Sequence, residues 1–233
     1  MAALLKTHGL TAFYGDFQAL FGIDFEIHAG EMVAIIGANG AGKSTFLKTI
    51  CGLLKARGEA VQLEGEPIGG EPAGSIVTKG IAMVPEGRRL FPSLTVEENL
   101  MMGAYSKRPG PWTLARIYDL FPVLAPRRRH PGTALSGGEQ QMAAIGRALM
   151  SNPKLLICDE ISLGLAPIVI KSLYQSLPSI RAEGLTIMIV EQDVSTAIRV
   201  TDRLYCFQEG RVSLTGTSSA LAVDQISKAY FGV

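Results

Sequence analysis

The chain has 233 residues, 47% of them apolar and 18% charged, which is enough to bury a sizeable core and too apolar for a disordered polymer. Basic and acidic residues nearly cancel, at 22 against 21, so no bulk field draws the chain to nucleic acid or to an anionic membrane surface. The strongest apolar runs, Met32 to Ile36 and Ile187 to Val190, stop far short of the roughly 20 residues that a bilayer span needs.

Met1 to Lys6 lack the basic segment, apolar stretch and cleavage site of a secretory signal, so a cytoplasmic protein is expected. Cys51, Cys158 and Cys206 stand at wide spacing among apolar neighbours, as small core residues in a reducing compartment do. Arg127-Arg128-Arg129 is the only basic run; it lies between prolines and reads as a solvated loop. There is no internal repeat and no low-complexity tract, and one domain with a small insertion is the expected organisation.

Leu4 to Tyr14 and Phe17 to Ile27 read as extended segments joined at Gly15-Asp16, a turn suited to antiparallel strands. Met32 to Ile36 is a continuous apolar run, suited to a strand buried on both faces. After a glycine-rich turn, the stretch from Lys43 to Leu53 is helical, with Phe46, Leu47, Ile50 and Leu53 at three-four spacing. Arg57 to Ile76, rich in Gly, Glu and Pro, reads as short strands and turns, before a strand from Gly80 to Val84. From about Arg88 to Pro131 the pattern turns to helices and loops, with a helix start at Thr95-Val-Glu-Glu98 and a second helix from Trp112 to Leu124. Helices at 137–150, 168–181 and 194–200 then alternate with strands at 155–158, 186–190 and 204–207. Such alternation implies a mainly parallel sheet with helices on both faces.

Gly37-Ala-Asn39-Gly40-Ala-Gly42-Lys43-Ser44-Thr45 matches G-x-x-x-x-G-K-[ST] between a strand and a helix, the context that pattern requires. Glycines let successive N–H groups turn inward on phosphate oxygens, and the helix N-terminus adds favourable partial charge. Lys43 is placed to reach the β- and γ-phosphates and the Ser44 hydroxyl to ligate Mg²⁺. A purely structural glycine turn is the alternative. Leu155 to Glu160 ends an apolar strand on two carboxylates, where open α/β sheets bind ligands. Asp159 is suited to holding Mg²⁺ through its hydration shell, and Glu160 to orienting and deprotonating the attacking water. Solvated acids at a strand end are the bland alternative.

Leu135-Ser136-Gly137-Gly138-Glu139-Gln140-Gln141 places two glycines at the start of a helix, a second anion-binding arrangement far along the chain from the first. Ser136 and Glu139 also have capping-box spacing, which accounts for them and leaves the glycine pair unexplained.

With these three motifs in this order, the sequence resembles the ABC-type ATPases over nearly its whole length. The resemblance implies an α/β fold of the P-loop NTPase class, with a mainly parallel sheet, an N-terminal antiparallel β subdomain and an inserted helical subdomain at about 88–135, all within one ATPase domain spanning 1–233. It also implies two subunits packed head to tail, so that Ser136, Gly137, Gly138 and Glu139 act in trans on nucleotide bound by the partner's phosphate loop. The implied ATP-binding set is Tyr14, Gly37, Asn39, Gly40, Gly42, Lys43, Ser44, Thr45, Glu86 and Gln192. Tyr14 stands where the family places a ring against adenine, and a strand-end core Tyr fits the sequence equally well. Ser44, Asp159 and Glu86 are the implied Mg²⁺ ligands, some through water, and Glu160 is the catalytic residue.

Ala82-Met-Val-Pro85-Glu86-Gly87-Arg88-Arg89-Leu90-Phe91, Leu94 to Leu100, Gln140 to Leu149, Ser162 to Pro167, Val190 to Asp193 and the ending Ala229-Tyr230-Phe231-Gly232 narrow the resemblance to the LivF type, the ATPases of branched-chain amino acid importers. That implies ATP and Mg²⁺ as cofactors, a second ATPase subunit that is identical or related, two membrane-spanning permease subunits, and an external substrate-binding protein acting through them. The implied location is peripheral, on the cytoplasmic face of the cell membrane, and no nucleic-acid partner is expected. An ABC-type ATPase serving a soluble or nucleic-acid partner, and a weakly hydrolysing scaffold, are the alternatives.

Four positions depart from the wider family. Glu86 replaces the usual glutamine and brings negative charge near phosphate. Gln192 replaces the usual switch histidine; its amide can donate a hydrogen bond to phosphate but cannot take up a proton. Ala166 replaces an aspartate. Ile161 replaces a proline and departs from the LivF-like pattern as well. The water-activating burden is therefore assigned to Glu160. His8, His28 and His130 fall outside every motif.

Overall fold

The computed structural model describes residues 2–231, so Gly232 of the resembling ending lies outside the described residues. In chain order the first elements are β1 (Ala3–Tyr14), β2 (Phe17–His28), β3 (Met32–Ile36), α1 (Lys43–Ile50), β4 (Val61–Leu63), β5 (Glu66–Pro67) and α2 (Ala73–Lys79). Next come β6 (Ile81–Val84), α3 (Val96–Met102), α4 (Leu114–Leu120), α5 (Gly137–Leu149), β7 (Leu155–Asp159) and α6 (Pro167–Ala182). The chain ends with β8 (Thr186–Glu191), α7 (Val194–Val200), β9 (Arg203–Gln208), β10 (Arg211–Thr217) and α8 (Val223–Phe231). Two compact units result, one from the chain up to Ile76 together with the chain from Thr186 on, the other from Val77–Leu185.

In the first unit β3 is buried at every residue and pairs in parallel with β8 on one side and β9 on the other, which is why its sequence is an unbroken apolar run. β10 closes against β9 in antiparallel fashion. A second sheet, ordered β2-β1-β4-β5, is antiparallel throughout, as the Gly15-Asp16 turn foretells. Phe46 of α1 meets Phe25 of β2 and Phe207 of β9 edge-on, at centroid distances of 5.2 and 5.3 Å, so the helix that follows the phosphate loop is anchored by aromatic packing. α7 and α8 cover Ala34, Ile36, Leu204 and Cys206 through Ala197 and Ile226.

The turn into β3 is held by a charged network. Arg203 grips Glu31 with two parallel bonds of 2.8 and 3.0 Å and donates a third to the Glu26 carbonyl at 2.8 Å. Glu31 also accepts the His28 N–H at 2.8 Å. Both side chains of the pair are largely withdrawn from water, so Glu31→Ala leaves a guanidinium without its fork partner. The expected loss is about 2–3 kcal/mol, read as a lowered midpoint in urea with unchanged slope.

In the second unit β6 and β7 are parallel, with Val84 opposite Cys158. α5 approaches α3 and α4 closely at Gly146, where a Cβ would stand 2.7 Å from Leu100 and 2.8 Å from Ile117. Thr95 caps α3 with the full capping box, as its spacing indicates. The segment from Arg88 to Leu135 holds α3, α4 and short 3₁₀ turns, with an isolated bridge between Thr95 and Pro131.

Some boundaries differ from the sequence reading. α1 stops at Ile50, not Leu53, because Gly52 takes φ +71 against the backbone of residues 71–73, and Leu53 is exposed. The second inserted helix is confined to Leu114–Leu120: Thr113 caps its start, and Pro122 removes the donor needed to continue it. The stretch read as turns up to Ile76 ends instead in the helix α2, whose Gly74 and Ser75 mask its pattern. All three cysteines are buried, and His8 is exposed with Nδ1 3.1 Å from Asp24.

Candidate nucleotide-binding site

The first unit carries the phosphate loop at the carboxyl end of β3. Gly37 takes φ +152, and a Cβ on it would lie 2.3 Å from the Phe207 carbonyl oxygen, so only glycine lets the loop leave β3 so close to β9. Gly42, at φ +100, is the N-cap of α1 and brings no side-chain cap, and the first turn has no acidic residue. That helix end therefore presents N–H groups and positive potential without a competing carboxylate. Lys43 is only 5% exposed, and its ammonium donates to the carbonyls of Gly37 at 2.7 Å and Ala38 at 3.1 Å. The cation is thus held over the loop's own backbone, within the curl that contains Asn39 and Gly40, while Ser44 faces solvent.

Two further sequence-selected residues belong to the same unit. Tyr14 is half exposed at the end of β1, and its hydroxyl lies 3.5 Å from Thr45 Oγ1, at the second residue of α1 after Lys43. The parallel register sets Ile36 opposite Glu191, so Gln192, the next residue of that chain, leaves β8 beside Gly37. Glu191 itself is buried at 2% exposure, a carboxylate that ends β8 opposite Ile36, one residue beyond the strand bounds expected from the sequence.

The second unit carries the acidic residues and the glycine pair. Asp159 is the buried last residue of β7, and Glu160 follows at φ +46, a left-handed conformation uncommon for a non-glycine residue. That backbone turn takes Glu160 out of the strand direction. Glu86 lies two residues beyond β6, exposed, so it leaves the same carboxyl end of the β6–β7 pair as Asp159 and Glu160. Ile161 is buried, and Ala166 is the N-cap of α6 with no side-chain bond; Pro167 at the first helical position lacks an N–H that would need one.

Ser136 caps α5. Its Oγ accepts the Glu139 N–H at 3.3 Å, and Glu139 Oε2 accepts the Ser136 N–H at 2.7 Å. That backbone bond holds the Glu139 carboxyl below the ordinary carboxylate range, so the cap's contribution is present at neutral pH and fades as pH falls through the lowered value. The box leaves the Gly137 and Gly138 N–H groups uncommitted to side-chain caps, so the cap and an anion do not compete for them. Gly138 is tightly confined, with a Cβ position 2.6 Å from Val169 Cγ1. Gly137 abuts the Arg88 guanidinium, a neighbour that no motif or spacing indicates.

Among the described residues no group of three or more His, Cys, Asp or Glu forms a metal cage. The donors on offer are a serine hydroxyl and carboxylates, hard oxygen ligands that fit Mg²⁺ held together with phosphate oxygens and water.

The family model described as ABC transporter matches residues 20–162. The high-affinity branched-chain amino acid transport ATP-binding protein BraG of Pseudomonas aeruginosa is 45% identical over 98% of this chain and 100% of its own length. The probable branched-chain amino acid transport ATP-binding protein LivF of Archaeoglobus fulgidus is 35% identical over 94% of each chain. Among solved structures, the dimeric structure of MJ0796, a bacterial ABC transporter cassette, superposes with a TM-score of 0.81 at 26% identity, covering 93% of this chain and 100% of that one. With a phosphate loop held by Lys43, paired acids at a strand end and a glycine pair that follows the Ser136 cap, the chain belongs to the ABC transporter family, as an ATP-binding and ATP-hydrolysing subunit.

Proposed function

We propose that this chain drives the uptake of branched-chain or related amino acids, as a peripheral subunit on the cytoplasmic face of the membrane. The observation that carries the reading is the full-length similarity to BraG and LivF, combined with the absence of any membrane-spanning helix among the described residues. Two permease subunits would supply the path, and an external binding protein would act through them. The partner ATPase is a second copy or a related chain, a reading supported by the dimeric neighbour MJ0796.

Within such a pair, Lys43 and the loop N–H groups from Gly37 to Thr45 bind the β- and γ-phosphates, and the Tyr14 ring stacks on adenine. Ser44, Asp159 and Glu86 would hold Mg²⁺, which when bound offsets phosphate charge. Glu160 orients the attacking water and takes its proton. Gln192 positions the phosphate by hydrogen bonding, and Ser136, Gly137, Gly138 and Glu139 close over it from the other subunit. The inserted segment at about 88–135 docks the permease, consistent with the exposure of Met101, Met102 and Tyr105, the last at 86%.

The experiment is affinity capture of the chain with its membrane partners, followed by phosphate release with and without them and by amino-acid uptake in vesicles. Partner-stimulated release is expected, and Tyr105→Ala with Met101→Ala should lower uptake while leaving ATP binding intact. Release that stays negligible with every captured partner makes the chain a scaffold; undisturbed uptake in the double variant removes the docking segment.

A further inference from the structure

Beyond Glu86 and Gly87, Arg88 and Arg89 both take left-handed backbone, at φ +66 and +48. Arg147, in the last turn of α5, holds this turn: Nη2 donates to the Arg88 carbonyl at 3.1 Å and Nη1 to the Arg89 carbonyl at 2.8 Å. The same guanidinium lies 5.5 Å from the centre of the Phe91 ring. Asn99, fully buried in α3, fixes the next part of the segment by accepting the Phe91 N–H at 2.8 Å and donating to the carbonyls of Phe91, Leu94 and Thr95. With its backbone set from both sides, Arg88 projects back along α5 to Gly137. The place of a Cβ on Gly137 is 3.3–3.4 Å from three atoms of the Arg88 guanidinium, so the planar group lies face-on to the first residue of the helix.

This is the wrong end of a helix for a cation, because the N-terminus is already the positive end. The acid nearest to Gly137 in sequence, Glu139, is engaged with the Ser136 N–H and with Arg127. Among the described residues the Arg88 guanidinium has no hydrogen bond or ion pair of its own. A cation and a positive helix end held side by side repel one another and attract the same thing, a multiply charged anion.

We propose that Arg88 is a further residue of the trans-acting half-site, its guanidinium contacting the γ-phosphate of ATP held by the phosphate loop of a second copy, with Arg147 as the residue that positions it. The inference rests on the reading of Ser136, Gly137 and Gly138 as acting in trans. Arg88 supplies a charge that the glycine N–H groups lack, and it joins the Glu86 segment to the start of α5.

The test uses the full chain carrying Glu160→Gln, with MgATP-dependent dimerisation followed by light scattering. Adding Arg88→Ala is expected to raise the MgATP concentration for half-dimerisation about ten- to a hundredfold, the range for loss of a charged hydrogen bond. The affinity of the monomer for a fluorescent ATP analogue should not change, because the phosphate loop of the same chain is untouched. Arg88→Lys should recover part of the loss and Arg88→Gln none, since charge is the operative property. Arg147→Ala should reproduce the shift with Arg88 present. Dimerisation unchanged by Arg88→Ala, or fully restored by Arg88→Gln, overturns the proposal. Failure of the Glu160→Gln chain itself to dimerise overturns the trans reading, and the role of Arg88 with it.

Discussion

Glu160→Gln is expected to lower steady-state phosphate release by about 10²–10⁴-fold, the range for removal of a positioned general base, while MgATP still binds. Glu160 follows a strand buried to its last residue and takes φ +46, so the backbone from which its side chain departs is fixed. Glutamine keeps the shape and the hydrogen-bonding reach but cannot accept a proton. In the proposed role it also removes one negative charge that would face the γ-phosphate, which favours the ATP-bound state. The variant should therefore accumulate as a closed dimer in MgATP, visible as doubled molar mass, and revert to monomer on exchange into ADP. Gln192 cannot replace the lost base, because an amide takes up no proton near neutrality. Turnover close to that of the unsubstituted chain would sink the assignment.

The sequence was most informative where backbone geometry is dictated by one residue type. The run Met32 to Ile36, the glycines of the phosphate loop and the Ser136-Glu139 spacing each translate directly into local structure, and the strand, loop and capped helix lie where those patterns place them. Boundaries were less legible because they depend on tertiary neighbours. Helix α1 ends early where Gly52 meets the backbone of a distant segment, and β10 carries a weak pattern, alternating between exposed and half-buried residues. Within the site, the residues found by motif all stand at strand or helix ends in their own units. The arrangement around Arg88 was hidden for a definite reason. Two arginines in left-handed backbone follow no propensity rule, and their conformation is imposed by Arg147, which lies 59 residues further along the chain.

Lys43→Ala is expected to weaken MgATP binding by about a hundredfold, since a buried positive charge and its charge-assisted bond to a phosphate oxygen are lost together. The same ammonium holds the loop closed through the Gly37 and Ala38 carbonyls, so its removal acts twice, on the ligand and on the shape of the cradle. The two effects separate by measurement. Nucleotide titration reports the sum, whereas thermal unfolding without nucleotide reports only the loop contribution, a lowered melting temperature because the buried Gly37 carbonyl loses its donor. Lys43→Arg is not a remedy: the planar fork is wider than an ammonium and must enter a niche where the native side chain is 5% exposed. It should bind nucleotide nearly as poorly as the alanine variant and lower the melting temperature more. Undiminished ATP affinity in Lys43→Ala, with a normal melting curve, would show that the loop N–H groups alone carry phosphate recognition.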